Sequence, residues 1–470
     1  MADYALARQL FAPPGADRAH TRHLLAQAAG SHARLLDRTR DGHQAPIDRL
    51  RDSLGDYLRG PAAASEKRMV LDAPQLVEAL HALAPSSREL ADWDEAVAPG
   101  CNDVPAERQS ALGCGRLGNV VAAVLLRQRD WRGQIGLATD GYGRIHIPLC
   151  DWVLVIVDER GPARELLAHQ SIVLQLDERR AQWSLPGSDR QSLVSMPRPV
   201  FDAMFADNRA PARLPAGVEF GIDSLRARFE RTSRLANTQI RYEPISGDAP
   251  TAHAELTGGI VAGLLTAIER NAPGIHEQLC QCIRTIHGFE LPPYGSGQIA
   301  SFSVPTSPGV IGFNVEYSPQ DEPQLSPFCF MWLGHELGHT LNYLIDDIAF
   351  THGWRFLENP GEITPLIPRY GRALRVRTLF QVPYVHLFEW WLLMMFHERH
   401  FAGLPWQVRD DAVALGEDLR AEIDESFELI AEHARITATG KAVLWRLREL
   451  VAEADSHWRR QCLIATRGYC

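Results

Sequence analysis

The chain lacks any run of about 18 uncharged apolar residues, the length that a membrane-spanning helix requires. Its first residues, MADYALARQLFAPPGADR, also lack the uninterrupted apolar core of a secretion signal, because Asp3 and Arg8 fall within them. These two absences argue against a membrane protein and against export. We therefore expect a cytoplasmic protein with no membrane partner.

An excess of positive charge is missing as well. The chain has 48 Lys and Arg residues against 58 Asp and Glu residues, which gives a net charge of −10. A surface this acidic repels nucleic-acid phosphates and anionic lipids. The composition therefore argues against general nucleic-acid binding, while small molecules and peptides stay open as substrates.

Cysteines are few and scattered, eight in all. The pair Cys280-x-Cys282 has no matching second pair, so we interpret both residues as thiols buried in a helix. In a long chain without a secretion signal, free thiols are expected rather than a disulfide framework.

Three regions differ in their hydrophobic pattern. Residues 1–115 carry apolar residues at helical spacing. In residues 116–255 the apolar runs are short and broken by Gly, Asp and Pro, so we predict a β-rich or mixed module. That interpretation includes the run GNVVAAVLLRQRDW, from Gly118 to Trp131, as a strand. Residues 256–470 combine strand-like runs with long amphipathic helices.

The segment FMWLGHELGHTLNYLIDD places two imidazoles and a carboxylate in a helix that is apolar on all sides. His335 and His339 are four residues apart, so they share one helix face and can occupy two coordination positions of one metal ion. Glu336 is turned from His335 by about 100°. In a metallohydrolase that position belongs to the general base.

The same helix contains two glycines, Gly334 and Gly338, beside the histidines. Each costs about 1 kcal/mol inside a helix relative to alanine. We therefore predict that another part of the chain approaches the helix backbone closely at this point. Ser326-Pro327 is typical of a helix start, which places the first turn just after Ser326.

Two histidines do not make a tight site, and the residues alone leave the third ligand open. Asn342 and Ile345 stand where an extended metzincin motif has Gly and His, so that subclass is excluded. Glu389, Glu398 and His386 remain as candidates. His386 lies in the apolar segment QVPYVHLFEWWLLMMF, where an imidazole needs a partner, and we prefer it.

The order of these segments resembles a known family. A strand, PGVIGFNVEY, precedes the helix LGHELGHTLNYL; a Trp354-Arg355 pair, a Pro/Arg-rich stretch and the run Gln381 to His386 follow. This arrangement is similar to that of the HExxH-motif peptide-modification proteins encoded beside ribosomally made, post-translationally modified peptides. The run QVPYVH matches the family's downstream histidine segment, which implies that His386 is the third metal ligand.

Members of that family are understood as 2-oxoglutarate-dependent peptide β-hydroxylases. The resemblance implies Fe(II) held by His335, His339 and His386, with 2-oxoglutarate as cosubstrate and a precursor peptide as partner. Three histidines differ from the usual two-His-one-carboxylate set, and the dianionic 2-oxoglutarate would then supply negative charge. Glu336 would orient a ligand or the substrate instead of acting as a hydrolytic base.

The family's Asp-Pro-Arg-Pro run is replaced here by PLIPRYGRALRVR, so the arginine that binds the far carboxylate of 2-oxoglutarate is open. Arg372, Arg375 and Arg377 are the candidates, and Arg369 also lies in range. Arg375 and Arg377 would share a face if the segment were extended.

The predicted fold class is α+β, mainly helical, with a zincin-like HExxH catalytic domain in residues 256–470. The strand 309–317 is expected to pair with an extended peptide substrate, and residues 116–255 are a candidate for binding its leader. A zinc metallopeptidase, with Glu336 as base and His386 or Glu389 as third ligand, is the main alternative. A non-catalytic peptide-binding protein is the second.

Overall fold

The computed structural model covers the chain in separate stretches. It describes residues 2–38, 45–60, 70, 76, 79, 106–126, 131–139, 144–147, 152–156, 170–185, 192–199, 201–202, 218–222, 239–242, 263–283, 285–289, 301–303, 309–314, 327–370, 373–399 and 406–467. None of the helices in these stretches combines the length and the apolar character needed to cross a membrane.

Helices dominate the described residues. They are α1 (Ala2–Leu10), α2 (Arg18–Arg38), α3 (Ala45–Arg59), α4 (Ala106–Leu125), α5 (Pro273–Cys282), α6 (Pro327–His352), α7 (Val376–Arg399), α8 (Trp406–His433) and α9 (Ala438–Arg467). Residues 263–271 are also helical, and Pro368–Tyr370 form a 3-10 turn. The start of α6 at Pro327 agrees with the predicted helix start.

Short strands account for the remaining regular structure. They are β1 (Gly133–Ala138), β2 (Arg144–His146), β3 (Trp152–Ile156), β4 (Ser171–Leu176), β5 (Arg180–Ser184), β6 (Ser192–Pro197), β7 (Val218–Ile222), β8 (Gln239–Tyr242), β9 (Thr285–Phe289), β10 (Ser301–Ser303) and β11 (Val310–Asn314). Within the described stretches they form three sheets, ordered β1-β4-β5-β6, β2-β3-β7 and β10-β11-β9-β8. The predicted α+β, mainly helical class is therefore confirmed.

The chain forms two compact units. One contains residues 1–28 and 225–470, and the other contains residues 29–224. The N-terminal helix α1 thus belongs with the HExxH region: the Arg446 side chain donates to the Phe11 carbonyl at 3.2 Å, and the Tyr384 hydroxyl donates to the Ala12 carbonyl at 3.1 Å. Much of 61–105 and 243–262 lies outside the described residues, so the division at 115 and 255 stays a prediction.

The unit of residues 29–224 corrects one interpretation of the sequence. The run from Gly118 was expected to be a strand, but its first eight residues complete α4. An apolar run of this length fits a buried helix as well as a strand, so periodicity alone does not separate the two. The Asn119 side chain forms hydrogen bonds with both backbone groups of Ala138 on β1, at 2.9 and 3.0 Å. It thus joins α4 to the edge of that strand.

In the other unit, α7 is the central helix. It packs against α6, α8 and α9. Tyr384, Phe388 and Trp390 on α7 are at most 1% exposed, as expected for a helix surrounded by others. The site residues of α6 and α7 therefore project from two largely buried helices.

The two glycines of α6 permit this packing. A β-carbon on Gly338 would lie 2.8 Å from the Cα atom of Val385, and one on Gly334 would lie 3.0 Å from the Phe388 carbonyl oxygen. Both distances are too short for a side chain facing backbone. The predicted close approach is confirmed, and the element that approaches is α7.

The sheet beside α6 corrects the predicted docking strand. β11 lies between β10, its antiparallel neighbour, and β9, its parallel neighbour, so both of its edges are occupied. The expectation that 309–317 would receive an extended peptide is therefore wrong. Among the described strands of this sheet, β10 is the edge strand on the side of α6, and it contacts α6 directly.

Substituting Gly338 by alanine tests the close packing of α6 against α7. Helix propensity alone would stabilise this variant by about 1 kcal/mol. Because the new β-carbon meets rigid backbone, we expect instead a loss of about 1–3 kcal/mol in the free energy of unfolding. Gly361→Ala is the control, since its β-carbon would meet no atom within 4 Å. Denaturant unfolding measures both, and a stabilised Gly338→Ala variant would contradict the packing argument.

Candidate metal centre

His335 and His339 face each other on α6. Their Nε2 atoms are 3.1 Å apart and their ring centroids 4.7 Å apart. Two nitrogens bound to one ion at about 2.0–2.1 Å each lie about 2.9–3.4 Å from one another. The pair is therefore already at the spacing of two ligand atoms. The His335 side chain is 29% exposed although it projects from a buried helix, so solvent or a substrate can reach it.

Glu389 on α7 engages the opposite side of the His335 ring. The Nδ1 atom of His335 lies 2.5 Å from Glu389 Oε1. A histidine that binds a metal through Nε2 commonly donates its Nδ1–H to a carboxylate, which fixes the tautomer and the ring orientation. Glu389 thus occupies the place of a supporting acceptor for His335.

His386 lies one turn before Glu389 on α7. Its Nδ1 atom is 3.0 Å from Glu389 Oε2 and 3.2 Å from Glu422 Oε2 on α8, distances typical of ion pairs although neither contact is aligned as a hydrogen bond. The ring centroids of His386 and His335 are 6.0 Å apart. Since the carboxylates surround Nδ1, Nε2 is the atom of His386 that remains for a metal.

The charges around the three imidazoles set their protonation. Burial lowers the pKa of His386, but the negative charges of Glu389 and Glu422 outweigh it and raise the pKa to about 10. Burial and Glu389 oppose each other at His335 in the same way, with a raised pKa as the result. At His339, burial and the neighbouring His335 both act downward, so its pKa lies well below the usual value. His339 is therefore held neutral, the form that binds metals.

The carboxylate side of the cluster is equally constrained. Burial raises the pKa of Glu389, but the charges of His386 and His335 prevail and hold it well below its usual range. Glu422 is in turn held by Arg369, whose Nε atom donates to Glu422 Oε1 at 2.8 Å. The two glutamates are thus ionised acceptors at the rim of the histidine cluster.

Glu336 points to the sheet. The hydroxyl groups of Ser301 and Ser303 on β10 lie close enough to its carboxylate to lower its pKa, but burial outweighs them and raises the pKa above its usual value. One carboxylate oxygen, Oε2, is therefore buried without a hydrogen-bond partner among the described residues.

Whether these residues fit a metal ion can be judged from their donors. Across the described part of the chain, no three His, Cys, Asp or Glu side chains already form a ligand set. Two Nε2 atoms are at ligand spacing, however, and a third histidine lies beside them with its Nδ1 engaged by carboxylates. The chemistry of these donors suits an ion bound by imidazoles, and two of the three Nε2 atoms are at ligand spacing. The side chain of Glu398, the other candidate ligand, lies outside the described ones.

The arginines predicted to bind 2-oxoglutarate differ in their surroundings. Arg377 is inside the helix pair, where it forms an ion pair with Asp346 of α6. Arg375 is half-buried at the start of α7, and its backbone pairs with Ile363 in an isolated bridge. Arg372 lies outside the described residues. Because the charge of Arg377 is already matched by Asp346, Arg375 and Arg372 are the better candidates, and all three assignments stay predictions.

Sequence reasoning missed two members of the site. Arg369 lies 17 residues before His386 and Glu422 lies 36 residues after it, and neither belongs to a motif. Arg369 was considered only as a ligand for 2-oxoglutarate, but it contacts Asp418, Glu422 and Glu425 at 2.5, 2.8 and 3.4 Å. The excess of carboxylates on α8 was the available signal.

The Arg377–Asp346 pair gives a testable stability prediction. Arg377→Met leaves the Asp346 carboxylate buried without its cation, so we expect a loss of about 3–5 kcal/mol in unfolding free energy. The double variant Arg377→Met/Asp346→Asn should regain most of it. Arg435→Met, which breaks the exposed pair with Glu362, is the control and should change little. Equal effects of Arg377→Met and Arg435→Met would show that the buried pair has no structural role.

Comparisons with known proteins do not assign the chain to a family: no family model matches it, and no curated protein matches it. The chemistry that the site can support follows from its donor atoms, their spacing and their charges.

Proposed function

We propose that the protein is an iron(II)- and 2-oxoglutarate-dependent oxygenase that β-hydroxylates a residue of a ribosomally made precursor peptide in the cytoplasm. The observation that carries the proposal is the grouping of His335, His339 and His386, with Glu389 hydrogen-bonded to Nδ1 of His335 and 3.0 Å from Nδ1 of His386. Imidazole donors suit iron(II), and three of them leave coordination positions open. The order of the segments along the chain, which resembles that of the HExxH peptide-modification proteins, supports the same proposal.

The proposal assigns a separate role to the histidines and to the arginines. His335, His339 and His386 would hold the iron, which supplies the oxidising chemistry together with 2-oxoglutarate and O₂. The three imidazoles contribute no negative charge, so the dianionic cosubstrate would neutralise the ion. A cation near the start of α7, Arg375 or Arg372, would bind the far carboxylate. The catalytic domain would have the zincin-like arrangement of an HExxH helix beside a small sheet.

An extended peptide has a place to bind beside the cluster. β10 is the outer described strand of its sheet on the side of α6, and its serines lie next to Glu336. A peptide added to this edge would pass the histidines with its backbone paired to β10. Glu336 would then orient the substrate indirectly, through the β10 serines beside its carboxylate. The leader-binding role of residues 116–255 stays a prediction.

One observation favours the second candidate function, a zinc metallopeptidase. Glu336 is buried and has a raised pKa and a free Oε2 atom, which are properties of a general base that takes a proton from a water molecule. The same three histidines would serve a zinc ion. The two functions share their donors and differ in cosubstrate and product.

The product of the reaction separates the candidates. The protein is purified without oxygen, loaded with Fe(II), and supplied with 2-oxoglutarate, O₂ and a precursor peptide from the neighbouring genes. We expect the peptide to gain about 16 Da, the mass of one oxygen atom, with one succinate formed per modified peptide. Peptide fragments that form with Zn(II) and without a 2-oxoacid would overturn the proposal.

Two substitutions sharpen this experiment. His386→Ala should reduce the rate by more than about 100-fold, because even loss of a supporting group costs about 10–100-fold. His433→Ala, at the end of α8 and away from the cluster, is the matched control and should keep its activity. Glu336→Gln should weaken an oxygenase but abolish a peptidase, because only the peptidase needs a carboxylate base.

A further inference from the structure

The placement of Glu389 between two imidazoles has a consequence for the whole cluster. Its Oε1 atom is 2.5 Å from His335 Nδ1, and its Oε2 atom is 3.0 Å from His386 Nδ1. One carboxylate thus faces the same ring atom of two histidines that come from different helices. Glu389 is 8% exposed in its side chain, so water competes little for its oxygens.

From this geometry we infer that Glu389 is a positioning residue and not a metal ligand: through a hydrogen bond with His335 and an ion pair with His386 it holds the Nδ1 side of both rings, so that both present Nε2 to a single ion. This inference rests on the metal site of the proposed function and adds the group that aligns it. Both oxygens of Glu389 are used in this role. A direct bond from Glu389 to the ion would remove an acceptor from one of the histidines.

A second acceptor extends the arrangement to the surface. Glu422 Oε2 lies 3.2 Å from His386 Nδ1, and the other oxygen of Glu422 accepts from Arg369 Nε at 2.8 Å. Arg369 stands in the 3-10 turn of the segment that joins α6 to α7. The connecting segment is therefore tied to the third histidine through two ion pairs that share Glu422. His386 has two carboxylates beside its Nδ1 atom and His335 has one, so the two histidines should differ in their dependence on Glu389.

The expected chemistry of a Glu389→Gln variant follows from hydrogen bonding. Glutamine has nearly the same shape but offers one acceptor oxygen, and its NH₂ group opposes an Nδ1–H donor. Glutamine can therefore support one histidine at most. The amide oxygen that remains for His335 is neutral and accepts more weakly than a carboxylate, so we expect the hold on the His335 ring to weaken.

Cobalt(II) is the probe, since it binds imidazole nitrogens and reports its ligands in the visible spectrum. We measure Co(II) affinity by competition with a chelator, the visible bands, and the hyperfine-shifted Nδ1–H proton signals of bound histidines. In Glu389→Gln we expect a loss of about 10–100-fold in Co(II) affinity and faster solvent exchange of the Nδ1–H proton of His335. Neither readout requires turnover, so a wrong substrate does not affect them.

Substitutions at more exposed glutamates keep the test valid if Glu389→Gln fails to fold. Glu422→Gln should lower Co(II) affinity by less than about tenfold, because Glu389 still pairs with His386. Glu425→Gln is the matched control: it removes another partner of Arg369 on α8 and should leave the affinity unchanged. Circular dichroism of the metal-free variants verifies that each is folded.

The outcomes distinguish this inference from the proposed function. Unchanged Co(II) affinity and proton exchange in a folded Glu389→Gln variant would overturn the positioning role alone. Bands of the unaltered protein that disappear in Glu389→Gln but persist in His386→Ala would show Glu389 to be the ligand, which also overturns it. If the unaltered protein binds no Co(II), the metal site and the inference both fail.

Discussion

The site depends on the close contact between the backbones of α6 and α7. Gly334 and Gly338 lack the β-carbons that would collide with Val385 and Phe388 on the other helix. Larger residues would force the helices apart, and the histidines of α6 would then lose reach of α7. The helical cost of two glycines, about 1 kcal/mol each, is offset by the contacts that this approach allows. A polar cluster can form between two otherwise apolar helices only at such a distance.

The same proximity creates an electrostatic problem that the cluster solves internally. Three imidazoles in a poorly solvated position need acceptors, and a buried carboxylate needs cations. Glu389 lies between His335 and His386, so it provides negative charge to both rings and is itself paired with both. Glu422 and Arg369 form a further pair of opposite charges on the side towards solvent. His339 is outside these pairs and has a strongly lowered pKa. A divalent cation bound to the three rings would replace the Nε2 protons of His335 and His386, so that its charge would take their place opposite the two glutamates.

Local chemistry made part of this predictable from the sequence. The four-residue spacing of His335 and His339 determines that they share a face in any helix. The two glycines indicated that another segment of the chain packs closely against the helix backbone. The identity of that neighbour was not local information. The same holds for β11, whose sequence is typical of a strand but does not state that both edges are paired. The partner of Arg377 also depended on tertiary structure, because Asp346 lies thirty-one positions earlier in the chain.

The role of Glu336 follows from its position relative to the other carboxylates. Glu389 and Glu422 are strongly paired with cations, so neither can accept a further proton easily. Glu336 has a raised pKa and an oxygen without a partner, which makes it the carboxylate of the cluster able to exchange a proton. In a peptidase this ability is the catalytic step itself. In an oxygenase the same carboxylate would position β10 through Ser301 and Ser303, without any proton transfer. The burial that raises its pKa therefore does not by itself choose between the two reactions. The choice lies with whatever occupies the open coordination positions, a 2-oxoacid or a water molecule.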